Sequence, residues 1–211
     1  RGVGVKLELH TKDRGWIAST EYRHPVGRWV PANFSDRAED GLIQLAAFLD
    51  ALRPSVALVS SMHPSVVAFW LATPDPSQPE WEEQRRAVFA SAVAGEQWGT
   101  ITSEPGSGGD IARTRATASP VDGQPFLAGD AYVVTGDKHF GSGLGITDRM
   151  MTTAIPQGEA DPTIFVLDVA NRSWDGTAGL TLVGEWDGMG MAATQSHAMR
   201  LDAAPAVRLA W

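Results

Sequence analysis

Two short stretches of this sequence hold residues able to do chemistry on a bound molecule. In "TITSEPGSGGD" the hydroxyls of Thr100, Thr102 and Ser103 run into Glu104 and Pro105, then into glycines that include Gly108 and Gly109, and Asp110 closes the run. Glycine lets a backbone approach a ligand closely, and successive amides in such a turn form a nest for an anion. A nucleotide P-loop is excluded, because Asp110 and Ile111 stand where that site needs a lysine and a hydroxyl. In "DKHFGSG" the aromatic Phe140 and the hydroxyl of Ser142 alternate with glycines, which lets a large flat ligand come close. "GSGLG", residues 141–145, has the wrong spacing for a dinucleotide fingerprint, and no βαβ pattern follows it.

Each of these has a plainer reading. Hydroxyls in a strand also serve simply as β-formers facing water, and Phe140 also fits an ordinary core aromatic. The remaining candidates are weaker. His10, His24, His63 and His197 are scattered, with no i,i+4 pair and no acidic partner cluster, so no metal site is expected. His139, a lone histidine beside Lys138, reads as a surface residue without a role. Glu104 precedes a proline and is expected to order the turn, Asp110 to cap it, and no Ser-His-Asp arrangement can be argued from sequence order. No catalytic residue is assigned.

The elements that must position these groups fall into two regimes. Leu42, Leu45, Leu49 and Leu52 recur at helical steps and predict a helix ending before Pro54. "SVALVSSMHPSVVAFWLA" predicts a buried helix, or two short ones split at Pro64. "SQPEWEEQRRAVFASAVAGE" carries Ser77 as a cap, Pro79 and acids in the first turn, and Gly95 as the terminating residue. After Gln97 the period becomes two, with strands expected at "WGTITSE", "RTRATASP", "AYVVTGDKHF", "RMMTTAI", "TIFVLDV", "LTLVGEW" and "SHAMRLDA". The expected fold class is therefore α+β, an N-terminal helical domain over 39–97 followed by an antiparallel β-barrel over 98–211. Residues 1–38 sustain neither period and are unassigned.

Composition sets the outer limits. The chain has 211 residues, 17 Lys and Arg against 25 Asp and Glu for a net charge of −8, and no cysteine. Such a balance without a basic stripe disfavours nucleic acid as a partner. No uninterrupted apolar run approaches a membrane span and no signal-peptide pattern opens the sequence, so a cytoplasmic location without a membrane is expected.

The segments "SEPGSGGD", "TRATA", "VVTGDKHFGSG" and "EWDGMGMAATQSHAMRLDAAPAVRLAW" occur in the order found in the acyl-CoA dehydrogenase flavoprotein superfamily, and the region from about Gly41 to Trp211 resembles it. The family patterns are T-E-P-x-x-G-S-D, T-x-A, G-x-K-x-W-I-T and G-M-x-x-(S/T)-x-S. The resemblance implies a flavin, FAD with FMN as the alternative, on the β domain. It implies cofactor contacts from Thr100, Thr102 and Ser103 along the ring, from Gly108 and Gly109 at the diphosphate, from Phe140 on the ring face and from Ser142 at flavin N5. Gly109 departs from the family, which has serine there. The resemblance also implies that the C-terminal helical bundle, which supplies the catalytic base in most branches, is absent from this chain.

The activity so implied is α,β-dehydrogenation of an acyl-CoA thioester with hydride transfer to flavin N5. A two-component, reduced-flavin monooxygenase is the alternative within the superfamily, since Phe140 and Ser142 replace its Trp and Thr. A non-catalytic flavin- or acyl-binding subunit is the third reading. Implied partners are a small-molecule substrate, an electron acceptor or flavin reductase, and further copies of the chain in a homo-oligomer.

Overall fold

A computed structural model describes residues 5–12, 15–23, 29–32, 54–72, 79–107, 109–189 and 191–210. The helix expected around Leu42–Leu52, the cap at Ser77 and the site residue Gly108 lie outside the described residues. Within the unassigned N-terminal segment the chain forms an antiparallel meander of β1 (Val5–Lys12), β2 (Gly15–Arg23) and β3 (Trp29–Ala32). Val5, Leu7 and Leu9 alternate with Lys6, Glu8 and His10, a strand period that is legible over β1 alone.

Two helices follow. The first, α1, spans Pro54–Ala72 without a break, so Pro64 does not divide it as one sequence reading allowed. It is also not the buried helix that its composition predicts. Residues 54–71 are long and apolar enough to cross a membrane by length and composition alone, with a mean hydropathy of 1.2, and 17% of that window is buried. Core helices pass the same test, and α1 is tied into the protein through its buried residues Ala57, Val66 and Trp70.

The second helix, α2, spans Pro79–Val93 and ends as its sequence predicts. Gly95 takes φ +97°, the Gly95 N–H donates to Ala92 O and the Glu96 N–H to Ser91 O, the paired bonds of a Schellman cap. Trp70 of α1 stacks on Trp81 of α2 at 4.5 Å between ring centroids and 16° between planes.

The rest of the chain is β-rich: β4 (Trp98–Thr100), β5 (Thr117–Pro120), β6 (Ala131–Gly141), β7 (Arg149–Pro156), β8 (Thr163–Asp168), β9 (Leu180–Gly184) and β10 (His197–Arg208). Five strands close a barrel in the order β5–β6–β10–β8–β7 and back to β5, with β9 paired to β10 outside the ring. This barrel is mixed, which corrects the antiparallel expectation. Four junctions are antiparallel, but β5 runs parallel to β7, and so does β4. Alternation in sequence marks strands and the faces they bury, but it carries no information on which neighbour a strand chooses or in which direction.

β7 explains how the layers join. Met150 lies in the barrel core with Val134, Phe165, Met199 and Leu201, whereas Met151 belongs to the cluster of Trp70, Trp81, Val88 and Trp98 between barrel and helices. Consecutive residues of a strand face opposite sides, so β7 is apolar on both. Trp98 fastens both helices to this layer: its backbone N–H donates to His63 Nδ1 of α1 at 3.0 Å and its indole to Ser91 Oγ of α2 at 2.8 Å. Gln84 of α2 is fully buried and bonds Ala128 O, Arg208 O and the Ala210 N–H, closing the far end.

Candidate functional site

The glycine-rich turn is an excursion from one edge of β7. Thr100 faces Met151 and Thr117 faces Ile155, so the chain leaves that edge after β4 and returns to it only a few rungs further on as β5. The backbone of β7 in between has lost its sheet partner and must find substitutes. A side chain supplies one for the Thr153 carbonyl, and threonine hydroxyls bridge the rest of the gap. Thr152 Oγ1 donates to Ile101 O at 2.6 Å, Thr153 Oγ1 pairs with Thr114 Oγ1 at 2.9 Å, and Lys138 Nζ donates to Thr153 O at 2.7 Å.

Lys138 is fully buried, a place lysine takes only when paired. Alternation along β6 turns this residue inward, where its ammonium also donates to Glu104 Oε1 at 2.6 Å and reaches Thr102 O at 3.4 Å. Glu104 in turn accepts from the amides of Arg115 and Ala116 at 2.8 and 3.1 Å. Burial alone would push the Glu104 carboxyl up, but the Lys138 hydrogen bond, the two amides and the Lys138 charge together hold it below the usual carboxylate range. Burial pushes the Lys138 ammonium down, opposed by its hydrogen bond to Glu104 and the Glu104 charge. A buried, ionised pair with every proton used thus anchors the root of the turn. Glu104 has no free edge with which to act as a base.

Further along the turn, Ser107 Oγ donates to Glu104 O at 3.0 Å and accepts from Gly109 N–H at 3.2 Å, while Asp110 N–H donates to Ser107 O. In this arrangement those two amides face the turn itself rather than an outside anion. Gly109 has φ +84° with open space where a Cβ would stand, so backbone conformation rather than crowding requires glycine there. Asp110 Oδ1 accepts from Ala112 N–H at 3.0 Å and caps a short 3-10 turn, Ile111–Arg113.

The two stretches singled out by their residue types meet side by side. Ser103 bridges His139, with His139 N–H donating to Ser103 O at 2.8 Å. One residue on, Phe140 holds φ +60°, a left-handed conformation rare and costly for a side chain of this size, and the residue is 54% exposed. A Cβ at Gly141 would stand 2.9 Å from Ile101 Cδ1, so the end of that side chain would have to shift to admit one. Ser142 is buried, and its Oγ lies 2.8 Å from Ser196 Oγ.

Residues from the end of the chain complete the cluster, and sequence reasoning assigned them no role. Trp186 meets the Phe140 ring edge-on at 5.7 Å, and its backbone N–H donates to His197 Nδ1 at 3.0 Å. Its ring lies across Gly188, where a Cβ would come within 2.2 Å. The spacing Trp-x-Gly was the available signal. Gly143 N–H donates to Thr194 O at 2.7 Å, locking the 140–143 turn onto the 191–196 turn.

Of the expected contacts, Ser103, Phe140 and Ser142 therefore lie near one another in the backbone, Ser103 being paired with His139, the residue before Phe140. Thr100 lies in β4 at the start of the excursion, Thr102 contributes its carbonyl to Lys138, and Gly109 stands at the outer part of the turn. A separate groove of about 340 Å³ is lined by the Val121–Phe126 turn, the first residues of β6, Asp168, Arg172, Pro205 and Ala206. It sits at the opposite end of β6 from Phe140. Two of its charged groups are paired with each other, Asp168 with Arg172 at 2.8 Å, and Asp168 also pairs with Arg149, which holds Glu96. Among the described residues no group of three His, Asp or Glu side chains could hold a metal.

No protein-family model and no curated protein matches this sequence. Solved structures do match its fold. TdsC from Paenibacillus sp. A11-2, in a complex with FMN and indole, superposes with a TM-score of 0.55 at 20% identity, over 82% of this chain and 39% of that one. An acyl-CoA dehydrogenase of Bacillus anthracis complexed with FAD gives 0.59 at 18%, over 81% and 27%. The methanesulfinate monooxygenase MsuC of Pseudomonas fluorescens gives 0.55 at 20%, over 80% and 37%. The chain has the fold of the acyl-CoA dehydrogenase-like flavoproteins, and it spans about two-fifths or less of the length of these three neighbours. What is shared with them is the helix-and-barrel unit described above.

Proposed function

We propose that this chain forms the flavin-holding part of a flavin-dependent oxidoreductase. The observation that carries the reading is the local constellation at the end of β6. A half-exposed Phe140 is held in strained backbone, with the buried Ser142 hydroxyl two residues on and the Ser103 strand alongside. Strain of this kind persists where surrounding structure enforces it, and it clusters at ligand sites. An aromatic face, a hydroxyl and main-chain groups at one edge suit a planar heterocycle with polar atoms on its rim. FMN and FAD in the neighbours of the same fold support that choice.

When bound, the flavin would supply two-electron redox chemistry at N5. The chain's own residues would do the positioning. Phe140 would cover a ring face, Ser142 would bond N5, and Ser103 would serve the pyrimidine edge beside Thr100 and Thr102. Gly109, with Gly108, would let the backbone come close to the diphosphate, the Gly109 amide itself being held by Ser107 Oγ. Glu104 and Lys138 would keep the lip in place.

For the reaction, α,β-dehydrogenation of an acyl-CoA thioester is the first reading, supported by the "SEPGSGGD" segment and by the dehydrogenase neighbour. A reduced-flavin monooxygenase is the second, favoured by Phe140 and Ser142 and by the MsuC neighbour. Anaerobic addition of acyl-CoA substrates separates them. The dehydrogenase predicts bleaching of bound flavin and an enoyl product. The monooxygenase predicts product only when reduced flavin and O₂ are supplied, and its appearance would displace the first reading.

A further inference from the structure

Ser142 is the first link of a buried hydroxyl chain. Ser142 Oγ lies 2.8 Å from Ser196 Oγ, Ser196 Oγ lies 2.7 Å from Thr194 Oγ1, and Thr194 Oγ1 lies 2.9 Å from Met191 O. The three side-chain-bearing residues are 8%, 5% and 1% exposed. Each hydroxyl has one proton to give, so the directions of these bonds are linked. In one arrangement Thr194 donates to Met191 O, Ser196 to Thr194 and Ser142 to Ser196, and Ser142 offers only lone pairs to anything facing it. In the reverse arrangement Thr194 donates to Ser196, Ser196 to Ser142, and Ser142 donates outward.

The reverse arrangement strands no acceptor. Met191 O still receives the Trp186 indole N–H at 3.0 Å and the Thr194 backbone N–H at 3.1 Å. Both directions are satisfied, so the chain is reversible by rotation of three hydroxyls. The Gly143 N–H bond to Thr194 O holds the two turns at the spacing that this requires.

We propose that Ser196 and Thr194 are positioning residues that let Ser142 change from hydrogen-bond donor to acceptor as the redox state of a bound flavin changes. The proposal rests on the flavin reading above. N5 of the oxidised ring is an acceptor, and after two-electron reduction it carries a hydrogen and becomes a donor. The hydride that reduces it comes from the acyl substrate in the first reading. In the second, the flavin arrives already reduced by its reductase. The three hydroxyl protons only rotate, and none is transferred.

The test compares dissociation constants for oxidised and reduced FAD and FMN in the wild type, Ser196→Ala, Ser196→Thr, Thr194→Val and Ser142→Ala. With Ser196→Ala, the Ser142 proton has no acceptor once N5 carries hydrogen. Binding of the reduced form should therefore weaken by roughly two- to tenfold, the loss of one neutral hydrogen bond, with little change for the oxidised form. A tenfold bias lowers the two-electron midpoint potential by about 30 mV. Ser196→Thr should restore the wild-type ratio. Thr194→Val, which cuts the chain one link further in, should shift it in the same direction and serves if Ser196→Ala fails to fold.

Equal weakening of both redox forms by Ser196→Ala would mark a merely structural role and overturn the relay. So would no effect from Ser196→Ala while Ser142→Ala weakens binding. If Ser142→Ala itself changes neither affinity, or the protein binds neither flavin, it is the site reading that fails.

Discussion

Lys138 and Glu104 show how far a residue's type can mislead about its place. A lysine ordinarily lies in water, yet Lys138 is buried and fills the break in the sheet edge left by the 101–116 excursion. Nothing near it in sequence reveals that, because its partners Glu104 and Thr153 lie 34 and 15 positions away. Removing one member of a buried pair leaves an uncompensated charge. Lys138→Met should therefore cost about 3–5 kcal/mol in urea unfolding, and adding Glu104→Gln should return a large part of it. Additive losses in that double-mutant cycle would show that the two groups are not coupled. The Glu104 carboxyl lies below its unfolded value near 4.5. Its contribution to stability is therefore complete above that pH and is lost as pH falls through the folded value. Ser142, by contrast, is singled out by its motif, but its contact with Ser196 across 54 positions is not readable from it.

At the scale of elements, local signals proved readable and pairings did not. Gly95 ends α2 where its sequence places the stop, because a left-handed terminator is a local requirement. The strands were recognisable from alternation, although "WGTITSE" shrank to Trp98–Thr100 and "RTRATASP" to Thr117–Pro120, since the residues between them leave the sheet. The parallel pairing of β4 and β5 with β7 had no local signature. His63 makes the joint between α1 and β4 sensitive to pH. Its Nδ1 must be unprotonated to accept from Trp98 N–H, and burial holds its pKa below the ordinary 6.5. The unfolded chain then binds the proton more readily. This joint's contribution is complete above pH 6.5 and is lost as pH falls from there through the folded value. Thermal melts from pH 8 to pH 5 should show a decline that His63→Ala flattens. An identical decline in the variant would assign it to other groups.

Among the described residues, the helices, the closed barrel and the converging turns form one arrangement in which the excursion from the β7 edge runs back beside the end of β6, where Ser103 pairs with His139. Trp81 is central to the helix–barrel layer, being fully buried and stacked on Trp70. Trp81→Ala should cost about 3–5 kcal/mol, read as a lower urea midpoint, and an unchanged midpoint would place the helices outside the cooperative unit. The mixed sheet, the Ser196 relay and the Trp186 contact all depend on approaches between distant segments, which is why composition and motif order led to the fold class and not to these details.

The central claim is that this chain holds a flavin at the Phe140–Ser142 turn. The most direct measurement is a titration of the purified chain with FAD and with FMN, followed by flavin absorbance and fluorescence. Binding should be saturable with a perturbed flavin spectrum, weakened by about 0.5–1.5 kcal/mol in Ser142→Ala and further by Phe140→Ala. A folded protein that leaves both flavins unperturbed up to millimolar concentration, or binding that neither substitution changes, would contradict the claim.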